Sequence, residues 1–146
     1  VWTEAFRDHP VVREQLVNSL WGTLPQDLLL QLFDPDADAL RAVFYQLQKQ
    51  NKIDQLQQIA PVTARCVAAA AGQQTPRVAA VTLYDASCYA EAGNEIELAI
   101  EYGEEALRLR HGTIEQHRRM ARLQLMKANY DKAEPHLVAI LRLDPS

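Results

Sequence analysis

Four histidines are the residues of this sequence whose type best suits metal or acid–base chemistry: His9, His111, His117 and His136. His111 and His117 are six residues apart across a predicted turn. No cysteine or carboxylate stands at a spacing that would complete a zinc site with them, since such sites need three or four ligands at defined intervals. We therefore expect exposed or turn histidines and no metal.

Carboxylates are plentiful, and five of them cluster on one predicted helix: Glu95, Glu97, Glu101, Glu104 and Glu105. They lie opposite the apolar residues of that helix, which is typical of a solvated face. A catalytic acid–base pair needs surroundings that separate two pKa values, and the sequence gives no sign of them. It also has no glycine-rich phosphate loop, nucleophile elbow, His-Glu-x-x-His pattern or paired Cys-x-x-Cys. We expect neither catalysis nor a cofactor.

Composition limits the function classes further. The chain has 146 residues, 48% of them hydrophobic, and a net charge of −4, which disfavours a nucleic-acid partner. No apolar run approaches the roughly 18 residues of a membrane span, so we expect a soluble domain without direct membrane insertion. The cytoplasm and the periplasm fit equally well. Cys66 and Cys88 fall inside predicted helices and are expected to be small buried hydrophobes.

The N-terminal half is predicted to contain four helices, at 10–21, 25–33, 38–50 and 53–71. Asp38 is the predicted cap of the third helix, and Pro61 is expected to kink or divide the fourth. Trp21 is predicted to anchor a core. Trp2 and Phe6 are expected to cap the fold or to pack on a segment upstream of Val1.

The C-terminal half contains an internal repeat. The pattern Ala99-Ile100 … Ala106-Leu107-Arg108-Leu109 recurs 34 residues later as Ala133-Glu134 … Ile140-Leu141-Arg142-Leu143. Each copy follows a first helix and a tight turn, with Gly93-Asn94 in one turn and Asn129 with Asp131 in the other. Small residues are expected where paired helices approach closely: Ala86, Ala99, Ala121 and Ala133. Larger ones are expected to fill the space between pairs: Tyr89, Ile100, Leu107, Leu137 and Leu141.

A helix–turn–helix unit of this period resembles the tetratricopeptide repeat family, and the resemblance covers about residues 77–146. It implies an all-α, right-handed superhelix of about four hairpins within a single domain. The units are an N-terminal capping hairpin at 1–36, a degenerate repeat at 37–74, and repeats at 77–113 and 114–146. Three departures leave the packing of the unit at 77–113 open: a 35-residue step from Ala86 to Ala121, Gly103 in place of an aromatic residue, and Arg110-His111 in place of Asp-Pro.

In this family the first helices line a concave groove, and Arg118 and Arg122, four residues apart, share one face of such a helix. The resemblance implies a partner-binding surface made of Leu83, Ser87, Glu91, Arg118, Arg122, Leu125 and Met126. Guanidinium groups can hold a carboxylate with two hydrogen bonds, but the family's chaperone clamp is missing, since Leu83, Tyr84 and Ser87 replace its Lys and Asn. Alternatively, the arginines pair with Glu115 or the acidic preceding helix, or are solvated.

The leading hypothesis is therefore a scaffold that binds a protein or peptide, an acidic one being the chemistry that arginine recognises; a homo-oligomer stays open. The alternative is a soluble C-terminal appendage of a larger membrane-embedded glycan polymerase or ligase. The stretch Leu20-Trp21-Gly22-Thr23-Leu24-Pro25 … Leu32-Phe33-Asp34-Pro35 resembles segments that lead into the repeats of O-antigen ligases. Apolar spans encoded upstream of Val1 would favour the appendage.

Overall fold

The computed structural model describes residues 2–145 and is all-α over that range. The described residues form nine helices and no strand: α1 (Trp2–Asp8), α2 (Pro10–Leu20), α3 (Gln26–Phe33), α4 (Ala37–Lys49), α5 (Ile53–Ala71), α6 (Pro76–Ala92), α7 (Ile96–Leu109), α8 (Ile114–Met126) and α9 (Tyr130–Leu143). The predicted helical class is confirmed. The short helix α1 was not among the predicted elements.

Local sequence explains where several helices begin. Asp36, not Asp38, caps α4, and its carboxylate accepts a hydrogen bond of 2.8 Å from the backbone N–H of Ala39. Thr113 opens α8 with a reciprocal capping box formed with Gln116. The expected division at Pro61 is wrong, because α5 runs unbroken from Ile53 to Ala71.

Three hairpins share one turn geometry. The turns after α4, α6 and α8 each hold one residue at positive φ, namely Asn51, Asn94 and Ala128. In each turn the next backbone N–H bonds to a carbonyl five residues earlier, as in a Schellman motif: Lys52 to Leu47, Glu95 to Ala90 and Asn129 to Gln124. The sequence named Asn129 for the last turn, whereas Ala128 takes the left-handed position and Asn129 is the N-cap residue of α9.

Packing from α4 onwards runs mainly between neighbours in sequence, with each helix against the next. The N-terminal core is aromatic: Phe6 stacks on Phe33 at 4.6 Å between ring centroids and on Trp21 at 6.0 Å. Trp21 is buried, as predicted, whereas Trp2 is exposed. The four alanines expected at close helix contacts are all buried.

Four side chains are less buried than the sequence predicted. Leu137 and Leu141 are exposed, because no described helix packs on that face of α9. Cys88 is also exposed and Cys66 is only half-buried; both are free thiols.

The structure explains why a glycine, and not an aromatic residue, stands at position 103. A Cβ built on Gly103 would overlap the Met120 sulfur, so Met120 of α8 occupies the space that a side chain on α7 would fill. The contact between α7 and α8 at this point is therefore made by the Met120 side chain of α8, and not by an aromatic side chain on α7.

Candidate functional site

The described part of the chain places one arginine, Arg119, in a half-buried ion pair between α8 and α6. Its Nε donates to Glu91 at 2.8 Å, and its terminal nitrogens donate to the Ser87 hydroxyl at 2.8 Å and the Ser87 carbonyl at 2.9 Å. The guanidinium also lies 5.4 Å from the centre of the Tyr84 ring. Only 12% of the Arg119 side chain is exposed, so this arginine fastens two helices together.

The two predicted groove arginines lie on the exposed side of α8. Arg118 donates to Glu115 at 2.8 Å, and Arg122 donates to the second carboxylate oxygen of Glu91. Burial raises the pKa of Glu91, but the hydrogen bond from Arg122 and the charge of Arg119 outweigh burial and hold that pKa below its ordinary value. The pairing with Glu115 that the sequence left as an alternative is therefore present.

The predicted partner-binding residues divide into two groups. Leu83 and Ser87 are buried, and Glu91 is engaged by two arginines, so these three belong to the contact between helices. Leu125 and Met126 are 45% and 56% exposed. The four residues Arg118, Arg122, Leu125 and Met126 lie together at one opening.

That opening is a cleft of about 510 Å³ between α8 and α9, which we call the α8–α9 cleft. It is lined by Arg118, Ala121, Arg122, Leu125 and Met126 of α8 and by Leu137 and Ile140 of α9. The sequence did not place Leu137 or Ile140 at the site. Leu137 is exposed and Ile140 is partly buried, whereas the repeat pattern predicted that Leu137 fills the space between helix pairs.

A partly buried polar network joins α7, α8 and α9, and the sequence did not predict it. A carboxylate can only accept, so we assign the proton of His136 to Nε2, which donates to Glu104 at 2.8 Å. The two Nδ1 atoms of His117 and His136 are 3.1 Å apart. Gln124 also donates to Glu104, at 2.9 Å, and accepts from Asn129 at 3.0 Å. The expectation of exposed or turn histidines is wrong for His136, which is buried.

The network shifts two pKa values. Burial lowers the pKa of His117, and the neighbouring His136 lowers it further, against the charge of Glu104. Burial raises the pKa of Glu104, yet hydrogen bonds from His136 and Gln124 outweigh it and lower that pKa. Glu104 is therefore not part of a solvated carboxylate face, as the sequence suggested. The network joins α7, α8 and α9 through side chains that satisfy one another.

Within residues 2–145, no group of three His, Cys, Asp or Glu side chains is arranged to hold a metal ion. None of the helices described is both long enough and apolar enough to cross a membrane.

No family model matches this chain, and no curated protein does so either.

Proposed function

We propose that this chain is a helical-repeat module of the tetratricopeptide type that binds a partner protein or peptide in the α8–α9 cleft. The observation that carries the proposal is the pairing of an apolar floor with two partly exposed guanidinium groups at one opening. The repeat assignment is supported by the 34-residue recurrence, the shared turn geometry and the buried alanines.

The arginines favour an acidic ligand. Arg118 makes one surface ion pair with Glu115, and 64% of its side chain is exposed. A guanidinium has five N–H donors, so Arg118 keeps donors for a second carboxylate. Its pair with Glu115 is a surface contact worth about 0–1 kcal/mol, and an incoming carboxylate can replace it at little cost.

The floor of the cleft favours an apolar ligand. Leu125, Met126 and Leu137 are all partly exposed next to the arginines. A partner that covers them gains about 25 cal/mol for each Å² of apolar surface removed from water. Methionine adapts to differently shaped partners because its side chain is unbranched and flexible. The ligand that fits is a peptide segment that presents leucine-like side chains and carboxylates on one face.

This function can be tested with two matched peptides. The probe is a labelled amphipathic peptide with leucine and glutamate on one face, and its control has lysine in place of glutamate. We expect the glutamate peptide alone to bind at low salt, measured by fluorescence anisotropy. Arg118→Ala combined with Arg122→Ala should weaken binding about 10-fold or more, as the loss of charge-assisted hydrogen bonds predicts.

Arg108→Ala is the matched control, because Arg108 is an exposed arginine that pairs with Glu105 three residues before it, as Arg118 pairs with Glu115. This variant should bind like the wild type. Equal binding of both peptides, or equal binding by the double variant, would contradict the proposal.

A further inference from the structure

The α8–α9 cleft has a counterpart inside the molecule. A shift of 35 residues in the first helix and 34 in the second matches Leu125 to Ala90, Arg122 to Ser87 and Leu137 to Gly103. All three counterparts are buried, and side chains of α8 contact two of them, Ser87 and Gly103. Met120 lies on Gly103, and Arg119 binds Ser87. The surface of α6 and α7 that corresponds to the α8–α9 cleft is therefore in contact with the next helix of the chain, α8.

The charges at the two surfaces are reversed. At the inner surface the receiving helix α6 holds Glu91, and the incoming helix brings Arg119. At the α8–α9 cleft the receiving helix holds Arg118 and Arg122. A helix that occupies this cleft in the same way must therefore bring carboxylates beside its apolar side chains.

Helix α3 combines exposed apolar side chains with one exposed carboxylate. Leu28 and Leu32 are 41% and 52% exposed, and they share one face because they are four residues apart. Asp27 is exposed in the first turn of the same helix. The two ends of the chain also differ in net charge. Positions 1–36 hold six carboxylates and two arginines, whereas positions 114–146 hold four carboxylates and six Lys and Arg residues.

We propose that α3 of a second copy of this chain occupies the α8–α9 cleft. The inference rests on the proposed function and names the partner as the chain itself. The contact joins two different surfaces, so it is head-to-tail and leaves one free surface at each end of the assembly. Because the contact is one short helix in one cleft, the association is weak and depends on salt.

Sedimentation velocity on the 146-residue chain provides the test. From about 10 µM to about 1 mM, the range in which a weak contact of this size forms, we expect the weight-average sedimentation coefficient to rise at low salt. It should fall back when screening shortens the Debye length to about 3 Å at 1 M salt. Arg118→Glu and Asp27→Arg should each abolish the rise. Mixing these two variants should restore it, because each then meets an opposite charge at both of its surfaces.

Arg108→Glu and Asp54→Arg are the matched controls, since both alter exposed charges on other helices and should associate like the wild type. Circular dichroism confirms that each variant is folded. A wild-type chain that stays monomeric would overturn the inference, and so would a mixture that does not associate. If that monomer still binds the glutamate peptide, the proposed function stands and only the choice of partner fails. If the chain binds neither a second copy of itself nor the glutamate peptide, the proposed function and the inference about the partner both fail.

Discussion

At the scale of single residues, three arginines on one helix have two different roles. Arg119 faces α6, where Glu91, Ser87 and the Tyr84 ring surround it. Arg118 and Arg122 keep 64% and 53% of their side chains exposed, although Arg122 also donates to Glu91. The position on the helix decides this difference, because neighbours in sequence are separated by about 100° around the helix axis.

Arg119→Ala is therefore expected to damage the fold. It removes four polar contacts and leaves Glu91 half-buried with one arginine, which we expect to cost about 2–4 kcal/mol in the free energy of unfolding. Arg118→Ala should change that free energy by no more than about 0.5 kcal/mol, as for exposed pairs. Urea denaturation of both variants gives the comparison. An Arg119→Ala protein as stable as the wild type would refute the structural role.

At the scale of elements, Gly103 and Met120 determine how α7 and α8 fit together. Glycine inside a helix costs about 0.5–1 kcal/mol relative to alanine. At position 103 a close contact offsets that cost. A Cβ on Gly103 would overlap the Met120 sulfur and would lie 3.1 Å from the Ser87 hydroxyl. The glycine thus leaves room for the methionine and for the hydroxyl that binds Arg119.

Gly103→Leu should be destabilising by about 1–3 kcal/mol, because overpacking outweighs the gain in helix propensity. Met120→Ala should be destabilising on its own, through the loss of a fully buried side chain. If the two side chains compete for one space, the double variant will be more stable than the sum of the single effects predicts. Purely additive free energies of unfolding would show that they do not meet.

At the scale of the whole molecule, the polar network ties the stability of the last three helices to pH. His117, His136 and Glu104 come from α8, α9 and α7, and the pKa values of His117 and Glu104 are both lowered. The folded pKa of His117 lies below its unfolded value of about 6.5, so the unfolded chain binds more protons below that pH. The contribution of neutral His117 to the free energy of unfolding is present above about pH 6.5 and is lost as the pH falls through the folded pKa.

The free energy of unfolding should therefore decline from pH 7.5 to pH 5.5, and His117→Asn should flatten part of that decline. His111→Asn, at an exposed histidine, is the control that should leave the decline unchanged. The pKa of Glu104 and that of Glu91 are lowered too, so a further loss of stability is expected below about pH 4.5, their ordinary value. Urea denaturation across this range measures both phases. A decline of equal slope in the His117→Asn protein would contradict the role of the network.

Local chemistry allowed much of the helical layout to be predicted. Pro10 opens a helix, as predicted, at the first-turn position, where a missing N–H costs nothing. Asn51 and Asn94 end others in the left-handed conformation that asparagine tolerates. Where the local signal was ambiguous, the prediction failed: Ala128 took a position expected of Asn129, and α5 absorbed Pro61 without dividing.

The sequence by itself determined the helical class, most helix boundaries, the recurring unit and the shared face of Arg118 and Arg122, because each depends on residues within a few turns of one another. Only the tertiary structure decided which charges pair and which side chains stay open to a partner. Arg119 meets Glu91 across 28 residues, and His136 meets Glu104 across 32. Such contacts depend on how helices are placed in space, and so does the exposure of Leu137 beside the arginines.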